Sequence, residues 1–121
     1  MTYTIHKQFA FSASHQLAGL PADHPCSRLH GHNYLVELEL ASSALNPVGF
    51  VVDYRELDPM KAWLNETFDH RHINDILPMN PTAENMAAFI CNWAVGHWGE
   101  AVKAVRVSET PSTWAEYRRS P

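Results

Sequence analysis

The segment His24-Pro25-Cys26-Ser27-Arg28-Leu29-His30-Gly31-His32 sets a thiol and two imidazoles close together at the mouth of a strand-like run. Residues two apart in a strand point to the same face. His30 and His32 therefore project together, and one metal ion can be held by both with little strain. A catalytic zinc takes three protein ligands and keeps its fourth position open. His15 is the natural third ligand. It closes the first strand-like run, and the chain returns through residues 16–29 to His30. If the two runs pair as a hairpin, His15 arrives beside His30 and His32. Gly31 between them allows close packing, and three neutral imidazoles suit zinc. Cys26 has three roles open to it: a fourth ligand that closes a structural site, an inert buried thiol, or a reactive thiolate near the metal but not on it. Cys91 falls in a helical run and reads as a core thiol.

A second polar cluster, Asp69-His70-Arg71-His72-Ile73-Asn74-Asp75, follows a helix end. An aspartate beside a histidine can orient the imidazole for proton transfer. A solvated loop is the plainer reading, with His72 a lone surface histidine. Glu109 ends a buried-looking strand. It is either solvated there or pairs with a ring N–H and an exocyclic amine of a ligand.

The elements that must position these groups follow from periodicity. Residues 3–14 read as a strand, with Tyr3, Ile5, Phe9 and Phe11 on one parity. Residues 16–29 show no period and form a long loop, a length often tied to function. Residues 32–42 alternate, with Tyr34, Val36, Leu38 and Leu40 on one face and Leu35 as the exception. Asn46-Pro47-Val48-Gly49 is a turn. A first helix starts either at Asp53, with Glu56 completing a capping box, or at Asp58, with Pro59 in the first turn. It runs to about Thr67. A second helix is capped by Thr82 and ends at Gly99. Its apolar stripe reads Met86, Phe89, Ile90, Trp93, Ala94 and His97. Val105–Val107 and Trp114–Arg118 supply two more strands. The order ββααββ predicts an α+β fold with a mostly antiparallel sheet.

The length of 121 residues suits a single domain over residues 1–121. The net charge of −4 argues against nucleic acid and acidic membrane surfaces as partners, and leaves room for a small anionic ligand. Two cysteines are too few for a disulfide scaffold. No secretory leader and no apolar run of membrane-spanning length is apparent, so a cytoplasmic setting is expected.

Taken together, these residues resemble the 6-pyruvoyl-tetrahydropterin and 6-carboxytetrahydropterin synthase family. The likeness runs from Phe11-Ser12-Ala13-Ser14-His15 through Cys26, His30-Gly31-His32-Asn33-Tyr34 and Val51-Val52-Asp53-Tyr54-Arg55-Glu56-Leu57. It continues through Asp69-His70, Asn74-Asp75, Pro81-Thr82-Ala83-Glu84-Asn85 and Ser108-Glu109-Thr110. The three-residue gap between Cys26 and His30 is similar to the bacterial queuosine-pathway branch. The resemblance implies zinc on His15, His30 and His32, a catalytic Cys26, and an acid–base pair of Asp69 and His70. It implies Glu109 as the anchor of a pterin ring, with Thr82 nearby. The implied substrate is 7,8-dihydroneopterin triphosphate. Loss of triphosphate with side-chain cleavage is the expected reaction. The pyruvoyl-type elimination and a non-enzymatic zinc protein closed by Cys26 are the alternatives. Which of Arg28, Lys61 and Arg71 holds the triphosphate stays open. The implied fold is the tunnelling fold: two helices on one face of a four-stranded antiparallel sheet. Three subunits close their sheets into a barrel, two trimers stack as a homohexamer, and active sites lie between subunits.

Overall fold

Alternating side chains build the sheet. In the computed structural model, which describes residues 1–120, β1 (Tyr3–His15) and β2 (His30–Ser42) pair antiparallel along their whole length. The ladder runs from Tyr3 opposite Ser42 to His15 opposite His30. Pairing with β1 carries β2 back to His30, ahead of the alternation that starts at His32. β3 (Val102–Thr110) and β4 (Thr113–Arg118) follow as antiparallel neighbours, giving the strand order β1-β2-β3-β4.

One face of this sheet is apolar. Phe9, Phe11, Tyr34, Val36, Leu38, Val105 and Val107 are buried there under two helices, α1 (Asp58–Thr67) and α2 (Ala83–Trp98). Burying a side chain of this size is worth about 1.5–3 kcal/mol, so the sheet–helix layer is the main source of stability. Both expected starts of the first helix are used in part. The Asp53 carboxylate accepts from the Arg55 N–H at 2.9 Å and caps a 3-10 turn over Tyr54–Leu57. The α-helix proper begins at Asp58. Pro59, which has no N–H to donate, sits in its first turn. The Asp53–Glu56 capping box does not form, because Glu56 N–H donates to the backbone oxygen of Asp53 within the 3-10 turn.

The buried stripe of α2 is Ala83, Met86, Ala87, Ile90, Cys91 and Ala94. His97, expected on that stripe, is exposed. The stripe advances by steps of four from Met86 to Ile90 to Ala94 and so reaches Trp98. His97 falls to its side and stacks on Trp93 at 4.8 Å between ring centres. Trp93 in turn stacks on Trp63 of α1 at 4.4 Å. The opposite face of the sheet carries a chain of ion pairs instead of apolar groups. Glu37, Arg106, Glu116, Arg118 and Glu39 alternate in sign across three strands. Among the described residues, no helix is long and apolar enough to cross a membrane.

Candidate metal centre and active site

The hairpin register delivers three imidazoles to one end of the sheet. His15 is fully buried, with its ring edge-on to His30 and to His32 at 4.5 and 5.0 Å between centres. Its Nδ1 lies 2.8 Å from the Pro81 carbonyl oxygen, and His30 Nδ1 lies 2.7 Å from the Arg28 carbonyl oxygen. A carbonyl can only accept, so both Nδ1 atoms carry the proton. In the neutral rings, both Nε2 atoms are then bare lone pairs. These two atoms face each other at 2.9 Å. Facing lone pairs repel, and a cation between them removes the conflict. Fixing Nδ1 on a carbonyl to leave Nε2 for a metal is the usual arrangement of histidine ligands.

His32 completes the set. Its Nε2 is buried and lies 2.9 Å from Glu109 Oε2, yet makes no hydrogen bond of acceptable angle. Glu109 Oε2 also lies 3.5 Å from His15 Nε2. Donor atoms of His15, His30, His32 and Glu109 all fall within 4.8 Å of one another. Three imidazoles and a carboxylate are a donor set for a first-row divalent ion. Burial is the main influence lowering the His15 pKa, opposed by the Pro81 hydrogen bond and the Glu109 charge. The ring is thereby favoured in its neutral, metal-ligating form.

The loop over residues 16–29 is fastened from a distance. The Asn74 side-chain amide bonds both the N–H and the carbonyl of Gln16, at 2.8 and 2.7 Å. Asn80 does the same for Ala18, at 2.9 and 3.0 Å. Each amide acts as a one-residue strand partner. Leu17 N–H donates to the Cys26 carbonyl, which holds a 3-10 turn over Pro25–Ser27. Cys26 is half-buried on that turn, and its sulfur is not among the converging donor atoms.

Asp69 and His70 are brought together as expected. Asp69 Oδ1 accepts from Ser12 N–H at 2.9 Å, and Oδ2 lies 2.8 Å from His70 Nδ1. The Ser12 hydrogen bond first, and His70 second, hold the Asp69 carboxyl below the usual range. His70 has φ +58, in the left-handed region, and its side chain is 83% exposed. The imidazole is thus oriented by Asp69 and open to solvent beside Ser12 and Asn33. Asp69 is tied to Ser12, within β1, whereas the Cys26 carbonyl is tied to Leu17, just beyond the end of β1. Thr82 caps α2, its hydroxyl oxygen accepting from Asn85 N–H at 3.1 Å.

Two features of the site go beyond the sequence reading: the docking of His72 and the unpartnered hydroxyl of Tyr34. His72, expected as a lone surface histidine, is half-buried with its Nδ1 2.9 Å from Ser14 Oγ. The cause is a parallel bridge between Ser14 and His72, which lays residues 70–72 along the free edge of β1. Tyr34 lies below the imidazoles, its hydroxyl buried without a hydrogen-bond partner. Burial, with the Glu109 charge, pushes its pKa up. The only sequence signal for it was its place on the inward parity of β2.

The sequence profile of the 6-pyruvoyl tetrahydropterin synthase family matches residues 4–120. A 6-carboxy-5,6,7,8-tetrahydropterin synthase of Synechocystis is 32% identical over 124 residues, covering 95% of this chain and 92% of the relative. One from Rickettsia bellii is 30% identical over 134 residues, covering 91% and 96%. The structure of Caenorhabditis elegans 6-pyruvoyl tetrahydropterin synthase superposes with a TM-score of 0.86 at 24% identity, covering 99% of this chain and 97% of that one. The Plasmodium vivax enzyme of the same name superposes with a TM-score of 0.80 at 21% identity, covering 100% and 99%. The ββααββ sheet with two helices on one face is the tunnelling fold. With a family profile spanning nearly the whole sequence, this chain belongs to the 6-pyruvoyl tetrahydropterin synthase family.

Proposed function

We propose that this chain is a zinc-dependent lyase of the cytoplasm. It would convert 7,8-dihydroneopterin triphosphate, with uptake of water, to 6-carboxy-5,6,7,8-tetrahydropterin, acetaldehyde and triphosphate in queuosine and 7-deazapurine synthesis. The observation that carries this reading is the pair of bare Nε2 atoms of His15 and His30 at 2.9 Å, with the orphaned His32 Nε2 beside them. The names of the relatives and the three-residue gap between Cys26 and His30 favour the carboxy-type product.

His15, His30 and His32 would hold the zinc. When bound, the ion supplies Lewis-acid polarisation to hydroxyl groups of the substrate side chain. Glu109 anchors the pterin ring through its N–H and exocyclic amine, with Thr82 close by at the start of α2. Cys26, as thiolate, takes the proton from the side-chain carbon. His70 is the second acid–base group, and Asp69 on Nδ1 leaves Nε2 free for the transfer. The exposure of the His70 ring supports an active site shared between subunits of a homohexamer built as a dimer of trimers. The position of the Cys26 sulfur outside the donor set weighs against a closed structural zinc site.

The test is incubation of the zinc-loaded protein with 7,8-dihydroneopterin triphosphate, with products identified by mass. The expected products are acetaldehyde and the 6-carboxy pterin. A pyruvoyl pterin without acetaldehyde would replace this reading by the elimination reaction. No turnover at all would remove the enzyme reading.

A further inference from the structure

Glu109 is held unlike the other glutamates of the sheet. Glu37, Glu116 and Glu39 each accept from an arginine, at 2.9, 2.7 and 2.7 Å. Among the described residues, the only cationic or ionisable nitrogens within 4.0 Å of the Glu109 carboxylate are the Nε2 atoms of His15 and His32. Both contacts fall on one oxygen, Oε2, at 3.5 and 2.9 Å.

The backbone explains this aim. Val105 and Val107 point into the core, so Glu109 follows on the inward parity of β3. It comes one residue after the last rung to β2, Leu35 opposite Ser108. On the other side β4 pairs Val107 with Ala115 and Thr110 with Thr113, and the register shifts between them. Irregularities of this kind re-aim a side chain and interrupt the ladder. Glu109 therefore reaches the imidazoles from a stretch of strand that neither neighbour pins.

Neither contact is a hydrogen bond. His15 carries its proton on Nδ1, against the Pro81 carbonyl, so its Nε2 turns a lone pair toward the Glu109 oxygen. His32 Nε2 is buried without a hydrogen-bond partner. A carboxylate facing lone pairs away from water is repelled by them. A cation shared by Oε2 and the Nε2 atoms turns each repulsion into a bond, and a carboxylate is an ordinary zinc partner beside histidines. Holding a ring N–H and an exocyclic amine side by side takes both carboxylate oxygens. Glu109 cannot do that and hold the metal together.

We propose that Glu109 is a detachable fourth ligand of the metal. Without substrate it closes the position that a catalytic zinc keeps open. The arriving heterocycle draws the carboxylate off and frees that position for the side-chain hydroxyls. No arginine or lysine within 4.0 Å holds the carboxylate, so it can move. The identity of the ring rests on the lyase reading above; the closure rests on the donor geometry. Metal exposure is thereby tied to ring recognition, and a polyol without the ring meets a closed ion.

The experiment loads the full chain with cobalt(II), whose visible spectrum reports its ligands, and titrates it with azide. Azide should leave the wild-type spectrum unchanged. Glu109→Ala should bind azide, and should hold cobalt about tenfold or more weakly, since even the outer partners of a metal site are worth that much. Glu109→Gln keeps the volume and one acceptor oxygen, and should fall between them. Melting curves of the metal-free variants check that each is folded. Unsubstituted pterin, its binding followed by its own fluorescence, should shift the wild-type cobalt spectrum and admit azide. It should not shift the Glu109→Ala spectrum. Azide binding equally well to wild type and Glu109→Ala would overturn the closure. A site that stays closed with pterin bound, in a protein that turns over 7,8-dihydroneopterin triphosphate, would overturn the release and keep the lyase. Closure and pterin-driven release in a protein without turnover would keep the detachable ligand and remove the lyase.

Discussion

We predict that zinc sets much of the melting temperature, and that the three histidines differ in how they do so. A ligand bound only by the folded state stabilises it by RT ln(1 + [L]/Kd), about 4 kcal/mol at a thousand times Kd. Unfolding entropy near the midpoint is about 2.1 cal/mol/K per residue, hence roughly 0.25 kcal/mol/K for 121 residues. Chelation with EDTA should therefore lower the Tm of zinc-saturated protein by about 16 °C.

The variants sharpen the test. His30→Ala removes one of the two facing Nε2 atoms and leaves Arg28 O on an exposed turn that water can reach. It should abolish most of the zinc-induced rise while melting close to the wild type in EDTA. His15→Ala removes a fully buried ring and strands the carbonyl of buried Pro81. An unsatisfied buried acceptor costs about 1–3 kcal/mol, before the cavity is added. His15→Ala should thus melt about 4–12 °C below the wild type even in EDTA. Differential scanning calorimetry with and without zinc reads both effects. A wild-type Tm indifferent to zinc, or a His30→Ala protein that keeps the full rise, would refute the reasoning.

Three further outcomes are expected. Asp69→Asn keeps an acceptor for Ser12 N–H but turns a donor toward His70 Nδ1, which forces the other tautomer; kcat should fall by about 10²–10⁴ with KM little changed, and a loss confined to KM would contradict this. Cys26→Ala should retain zinc by elemental analysis and lose most turnover, and zinc loss would place the sulfur on the metal instead. Glu39 has its carboxyl held below the ordinary range, first by hydrogen bonds from Arg118, against the opposing effect of burial. A depressed folded pKa gives stability that is present above the ordinary value and lost as pH falls through the folded one. Glu39→Gln should therefore be less stable than wild type at about pH 7, and urea midpoints should converge as pH falls below the ordinary carboxylate range and through the depressed folded value; a gap that stays constant as pH is lowered would show that the charge is not its origin.

What the sequence revealed and what it hid divide along one physical line. Strand parity is local, so the inward set Tyr34, Val36, Leu38 and Leu40 was legible, and so were His30 and His32 together. The hairpin added His15 because two runs joined by one loop most simply pair end to end. Glu109 was legible as a strand-end carboxylate, but its contact with His32 depends on how β3 registers against β2 and on an irregularity between Val107 and Thr110. The Asn74 and Asn80 clamps join residues 58 and 62 positions apart. No periodicity encodes that docking. His72 was misread for the same reason: nothing in its neighbours announces that residues 70–72 lie along β1. His97 failed differently, because a stripe advancing by fours passes it for Trp98.

The proposed sharing of the active site between subunits gains support from the edges of the sheet. β1 and β4 are its two outer strands. An outer strand presents unpaired N–H and carbonyl groups that must be paired, covered or blunted. Residues 70–72 cover only the end of β1 near the histidines, through Ser12 and Ser14. β4 carries Trp114 at 67% exposure and Tyr117 at 39%. His70 adds a strained backbone, a cost of roughly 1–3 kcal/mol, for an imidazole whose only hydrogen bond among the described residues is to Asp69. Edge-to-edge closure with further copies would cover β1 and β4 and bring a neighbour's loop toward that imidazole. On this reading zinc belongs to the single chain, since its histidine ligands come from one hairpin. On the same proposal proton transfer would belong to the assembly, with the thiol and the imidazole of one site supplied by different copies.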